Sequence, residues 1–287
     1  MPDPHPTINT LLRHATVALA HLLTPRLDAE VLLGYTLGTS RSALICDRDE
    51  PVNAALCAQF DQLIAARAQG RPIAQLRGTQ EFWSLDLQIT DAVLVPRGET
   101  ELLVTLTLAL SPPNAPLSIA DLGTGSGAIA LALATERPQA LVLALERSDA
   151  ALAVARANQA RHEIENVALV QGNWLEALGN QGFDFIVANP PYVADEDLVL
   201  GEAGLRFEPR AALAAGADGL DALRIIASTA LPRLIPDGWL LLEHGATQGS
   251  AVRRLLELAG FSTVATACDF AGLERVTYGQ RKALEDG

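Results

Sequence analysis

Asn189-Pro190-Pro191-Tyr192 directly follows the apolar run Phe183–Ala188. The Asn189 side-chain oxygen and the Pro190 carbonyl, both held by stiff prolines, make a converging pair of acceptors for a planar NH2 group. Tyr192 can stack on that plane. A bare proline-rich turn accounts for the prolines but not for their place at a strand end downstream of a glycine loop. That loop is Asp121-Leu122-Gly123-Thr124-Gly125-Ser126-Gly127-Ala128, between a strand-like and a helix-like run. Its glycines allow a tight turn and let a ligand approach the free N–H groups of a helix N-terminus. By itself the loop also fits a dinucleotide site or a ligand-free turn.

Two further positions extend the candidate site. Glu146 ends the run Leu141-Val142-Leu143-Ala144-Leu145, roughly 20 residues on, where an acid accepts hydrogen bonds from ribose hydroxyls. The alternative is a solvated acid at a strand end. Gln171-Gly172-Asn173-Trp174 ends the third strand at the same carboxyl edge, where open α/β sheets bind ligands. Asn173 suits an adenine edge. Trp174 suits either a cofactor contact or core packing.

The elements that must position these residues fall into three parts: a helical domain over 1–72, a β-hairpin connector over 73–98 and a catalytic domain over 99–287. Thr7 is the expected cap of a first helix, Pro25 and Gly38 bound a second, and a third runs over 51–68 with Gly70 past its end. Over 79–95, Glu81-Phe82-Trp83, then period-two alternation at Leu85–Ile89, then Val93-Leu94-Val95 predict the hairpin. A helix is expected over 99–110. Strand-like runs at 117–122, 140–145, 167–170 and 183–188, with helices at 128–135 and 150–161, predict an α/β fold with a doubly wound parallel sheet. A strand at 239–243, a helix at 251–259 and two closing strands at 261–266 and 275–278 complete it. Arg97, Glu99 and Glu101 form either a local ion network or an ordinary solvated helix start. His244, at a strand end, reads as structural.

Composition narrows the function. The 287 residues are 49% hydrophobic and 19% charged, enough for one large or two modest cores. The formal net charge is −13 and the only lysine is Lys282, which disfavours a general nucleic-acid binder. Cys46, Cys57 and Cys268 are widely spread and no histidines cluster, so neither a disulfide framework nor a metal site is expected. With neither a secretory signal pattern nor an apolar stretch of membrane-spanning length, a cytoplasmic, membrane-free protein is expected.

The glycine loop at 121–127 followed by Asn189-Pro190-Pro191-Tyr192 resembles S-adenosylmethionine-dependent methyltransferases that modify amino groups conjugated to a planar system. Within them the chain resembles the protein-(glutamine-N5) methyltransferases of bacterial peptide-chain release factors, the PrmC/HemK family. The likeness extends to the N-terminal helices, Glu81-Phe82-Trp83, Pro96-Arg97-Gly98-Glu99-Thr100-Glu101, Phe207-Glu208-Pro209, Leu242-Glu243-His244-Gly245 and Glu274-Arg275-Val276-Thr277. The family commonly has Pro at the position of Gly98 and Asp at those of Glu146 and Asn173. Glu146 keeps the ribose contact with a longer reach, whereas Asn173 loses a charge beside the adenine.

The resemblance implies a class I S-adenosylmethionine-dependent methyltransferase domain and a monomer acting on release factors 1 and 2 at the glutamine of their Gly-Gly-Gln motif. Asn189, Pro190 and Tyr192 are then catalytic, and with Pro191 they bind the substrate amide. Gly123, Thr124, Gly125, Ser126, Gly127, Glu146, Trp174 and Asn189 bind the cofactor. The competing readings are an amino methyltransferase of DNA or RNA, a cofactor-bound module without catalysis, and a nicotinamide dehydrogenase.

Overall fold

The computed structural model describes residues 6–176, 178–179, 182–202 and 204–283. Two compact units emerge, one running to Gly78 and taking in Glu202–Phe207, the other formed by Thr79–Gly201 with Glu208–Gly287. No helix among the described residues is long and apolar enough to cross a membrane.

In the first unit, α1 (Ile8–Ala18) starts where the Thr7 hydroxyl accepts the Thr10 N–H at 3.3 Å. α2 (Pro25–Leu37) has Pro25 in its first turn and ends on left-handed Gly38. Two short helices went unforeseen, α3 (Arg41–Cys46) and, after α4 (Ala54–Ala68), α5 (Ile73–Arg77). The third expected helix, α4, begins at Ala54 rather than 51, because Asn53 caps it by accepting the Leu56 N–H at 3.0 Å. Pro51 instead bridges to Thr7. Leu32, Leu33, Leu44 and Phe60 are buried together. Beside this core, Asp28 pairs with Arg67 at 2.7 Å, and Glu30 with Arg26 and Arg41. Late in the chain, Phe207 joins this unit through the guanidinium groups of Arg71 and Arg206, 5.2 and 4.9 Å from its ring centroid.

The second unit opens with the hairpin β1 (Thr79–Phe82) and β2 (Leu85–Gln88), turned by Trp83 and Ser84 with φ of +52° and +62°. Left-handed conformation at both turn residues suits a two-residue hairpin but disfavours side chains larger than glycine. Glutamates offset this: Glu101 accepts the Trp83 N–H, Glu81 the Ser84 N–H, and Glu136 the Trp83 indole N–H. The run 93–95 is not a strand. Val93 and Val95 are buried, and the Val95 N–H donates to the Glu208 carboxylate at 2.9 Å in place of a ladder partner.

Residues 98–100 form a short 3-10 turn, which delays α6 (Glu101–Leu110) by two residues from the expected start. There follow β3 (Ser118–Leu122), α7 (Ala128–Glu136), β4 (Leu141–Glu146), α8 (Asp149–Arg161), β5 (Val167–Gln171) and β6 (Phe183–Ala188). Next come α9 (Asp221–Ala230), β7 (Leu234–Glu243), α10 (Gly249–Leu258), β8 (Ser262–Cys268) and β9 (Glu274–Gln280). Among the described residues seven strands form one sheet in the order β5-β4-β3-β6-β7-β9-β8, parallel from β5 through β7 and antiparallel at β9 and β8. The expected doubly wound sheet is thus present. α7 is buried from Ala128 through Ala134, as expected of a helix apolar on all sides. Phe183, completely buried in the core cluster that also takes in Leu223 and Ile226 of α9, contributes roughly 1.5–3 kcal/mol. Strand order reverses at β3, which has β4 on one side and β6 on the other, opening a crevice at their carboxyl ends.

Candidate active site

The loop from β3 to α7 is tied to the neighbouring strand: the N–H groups of Gly123 and Thr124 both donate to the Leu145 carbonyl at 2.9 Å. Gly123 has φ of +74°, a conformation that favours glycine, and a β-carbon there would crowd the Trp174 ring at 3.2 Å. At the end of β4, Glu146 accepts the Gly125 N–H at 3.0 Å on one carboxylate oxygen and the Ser148 N–H at 2.8 Å on the other. The loop is also held from beneath. Buried Asn158 on α8 donates to the carbonyls of Ser126 at 2.9 Å and Gln88 at 3.1 Å, and accepts the Gln88 N–H at 2.6 Å. Its helical position gives no hint of this role, and the sequence reading missed it.

Asp121 is wholly buried. Burial pushes its carboxyl up to about 7, although the Thr124 hydroxyl donates to it at 2.6 Å and favours the charged form. Its other oxygen, Oδ1, has no partner among the described residues.

At the end of β6, Asn189 donates through Nδ2 to the Thr100 hydroxyl at 3.1 Å, which leaves Oδ1 as its available acceptor. Pro190 is buried and Asn189 half-buried. The backbone after them is clamped by Gln248, whose Nε2 donates to the Tyr192 carbonyl at 3.0 Å while its Oε1 accepts the Gly245 N–H. Burial, with the nearby Glu243, pushes the Tyr192 phenol up to about 12, so it stays protonated. Glu243, at the end of β7, is itself pushed up to about 7 by burial, opposed by hydrogen bonds from Thr100 and Tyr192 and by Arg275.

One cavity of about 400 Å³ gathers Gly123, Gly125, Glu146, Asn173, Trp174, Asn189 and Pro191. Thr124 and Ser126 are buried and do not line it; neither do Gly127, Pro190 and Tyr192. Trp174 lines the cavity and also packs against the sheet core. The small side chains of Ala211, Ala214 and Ala215 give part of the wall an apolar surface. Glycines on the cavity wall, a carboxylate at the end of β4 and a mostly apolar lining fit a nucleoside-bearing cofactor.

Arg97 does not pair with Glu99 or Glu101. It forms an ion pair with Glu208, a contact across 111 residues that no local spacing announces. His244 is structural as read: fully buried, with its ring nitrogens against the Gly245 carbonyl and the Thr277 hydroxyl, and held below its usual pKa by burial.

Comparison with known proteins agrees with this geometry. Residues 99–231 match the family described as methyltransferase small domain, and residues 10–78 that described as PrmC N-terminal domain. The chain is similar to a release factor glutamine methyltransferase of Xylella fastidiosa, 49% identical with 93% of this chain and 97% of the relative covered. One from Escherichia coli K12 is 42% identical over 94% and 97%. Among solved structures, the human Mettl16 catalytic domain in complex with a MAT2A 3'UTR hairpin is similar at TM-score 0.57 and 16% identity, covering 84% of this chain and 85% of that one. The Thermus thermophilus 16S rRNA N2 G1207 methyltransferase, solved with AdoMet and guanosine, is similar at TM-score 0.53 and 20% identity over 71% and 50%. These two structural likenesses carry the methyltransferase fold and nothing finer. Relatives this similar along nearly their whole length show that the chain belongs to the release factor glutamine methyltransferase family.

Proposed function

We propose that this chain methylates the side-chain amide nitrogen, N5, of the glutamine in the Gly-Gly-Gln motif of peptide-chain release factors 1 and 2, using S-adenosylmethionine, as a monomer in the cytoplasm. The observation that carries the chemistry is Asn189: its Nδ2 is spent on Thr100, so its Oδ1 is what it offers at the cavity.

An amide nitrogen is a poor nucleophile because its lone pair is delocalised into the carbonyl. Asn189 Oδ1 and the Pro190 carbonyl each accept one amide hydrogen, which raises electron density on nitrogen and fixes its direction. Tyr192 packs on the amide plane. Gly123, Gly125, Glu146 and Trp174 hold the cofactor, with Glu146 turning its carboxylate to the ribose hydroxyls. Thr124, Ser126 and Gly127 act on the loop's shape from behind. S-adenosylmethionine, when bound, supplies a methyl group on a cationic sulfur. The methylated nitrogen sheds its extra proton to solvent, so no strong base is required.

The deciding measurement is mass spectrometry of a recombinant release factor, an RNA and a DNA, each incubated with this protein and S-adenosylmethionine. One added methyl on the factor's glutamine is expected. Methyl transfer to either nucleic acid, with none to the factor, overturns the reading.

A further inference from the structure

Two stretches of the cavity lining come from remote parts of the chain. Val93 and Leu94 supply the first, within residues 92–96, which belong to neither strand nor helix. Pro209, Ala211 and Ala215 supply the second. The far end of that second stretch is laddered to the backbone just past Tyr192. There the Val193 N–H donates to the Leu213 carbonyl at 2.8 Å, and the Ala215 N–H donates to the Val193 carbonyl at 2.9 Å. At its near end stands Glu208.

Glu208 joins the two stretches with a side chain that is 1% exposed. One carboxylate oxygen accepts the N–H of buried Val95 at 2.9 Å, and the other accepts the Arg97 guanidinium. Both partners can only donate, so the direction of each bond is settled by chemistry. Val95 and Glu208 each precede a proline, which biases both backbones toward an extended conformation. We propose that Glu208 is a positioning residue for the cofactor: through the Val95 N–H it holds the lining at 93–94 against the lining at 209–215, so that the cavity is formed before the cofactor arrives. This rests on the S-adenosylmethionine reading above. Without that acceptor, a buried N–H lacks a partner and gains by drawing residues 93–95 toward water. Binding must then restore the lining, and affinity falls by the fraction of molecules that still hold it.

The test is calorimetric affinity for S-adenosylhomocysteine, which binds without reacting, measured on full-length protein well below its melting temperature. No binding by wild type sinks the cofactor reading itself. With wild type binding, Glu208→Met, which keeps length but offers no oxygen, should lose affinity by about tenfold. Glu208→Gln should recover most of that loss, because its Oε1 can still accept the Val95 N–H while Arg97, 38% exposed, turns to water. Glu208→Asp keeps the charge but is one methylene too short to reach Val95 with the lining in place, so it should bind more weakly than Glu208→Gln. An ion pair that served stability alone would give the opposite order. Wild-type affinity in Glu208→Met overturns the proposal, and so does Glu208→Asp binding as tightly as Glu208→Gln or more tightly. If Glu208→Met does not fold, the order of the other two variants decides.

Discussion

A β-carbon on Gly219 would lie 2.3 Å from the carbonyl oxygen of Tyr192, the oxygen that Gln248 already holds. Gly219 also has φ of +74°, so a side chain there is disfavoured by its own backbone as well as by its neighbour. Gly219→Ala should therefore displace the Tyr192 backbone and cost roughly 1–3 kcal/mol of stability. Urea unfolding reads the stability loss and single-turnover transfer reads the displaced tyrosine. Wild-type values in both would mean that the loop yields at no cost.

Glu146→Ala should weaken S-adenosylmethionine binding by about 1–3 kcal/mol, through loss of charge-assisted hydrogen bonds to the ribose. Glu146→Gln, which keeps an acceptor, should lose less. Because Glu146 also receives the Gly125 and Ser148 N–H groups, the Ala variant frees the glycine loop as well. Calorimetry giving equal affinity for wild type and Glu146→Ala removes the residue from the site.

Asn189→Ala removes an acceptor and leaves one substrate hydrogen unpaired, so transfer should slow on the order of 10²–10³-fold with little change in cofactor affinity. Asn189→Asp retains an acceptor but sets a negative charge beside the cationic sulfur. That charge stabilises the ground state more than a transition state in which the positive charge disperses, so this variant should be slow as well. Transfer at the wild-type rate in Asn189→Ala contradicts the proposed amide cradle.

Stability should depend on pH through two buried acids. Burial raises Asp121 from 3.8 and Glu243 from 4.5, each to about 7, so the folded state binds their protons more tightly than the unfolded chain does. Their contribution is therefore present at low pH, declines from about pH 4 to about pH 7, and is level above that. His244, lowered by burial, slopes the opposite way up to its unfolded pKa. Asp121→Asn and Glu243→Gln should each lessen the decline relative to wild type in denaturant melts across pH 4–8. Parallel profiles for wild type and both variants would show that neither acid titrates in that window.

The helical unit should serve substrate recognition, since its described residues carry no part of the amide cradle or the cavity lining. Deleting residues 1–72 should spare cofactor affinity and weaken methylation of intact release factor far more than of a short glutamine peptide. Phe207→Ser belongs in that shortened chain, because Arg71, one of the two cations over the ring, goes with the deletion. Equal losses on both substrates would contradict this division.

What the sequence made legible was local. Thr7, Pro25 and Gly38 mark helix ends because a cap acts over three or four residues, and 117–122, 140–145 and 183–188 read as strands because each is a short run dominated by apolar residues. α9 also had its signal, with Ala222, Leu223, Ile226, Ala227 and Ala230 at helical spacing, but the reading passed over it. The glycine loop and Asn189 stood out because their chemistry is written in consecutive residues. Val93–Val95 was misread since two buried valines alternate whether their N–H groups meet a strand or, as here, Glu208. Thr100 and Asn158 stayed hidden for the same reason as Arg97–Glu208: each has a partner 70 or more residues away.

Asn158 binds two remote pieces of backbone with one side chain, and this has a consequence for motion. Withdrawal of the Asn158 amide releases the Ser126 carbonyl and the Gln88 peptide together, which couples opening of the hairpin to opening of the glycine loop. Amide hydrogen exchange at Gln88 thus becomes a remote gauge of order in the loop, slowing whenever a ligand in the cavity steadies residues 123–127.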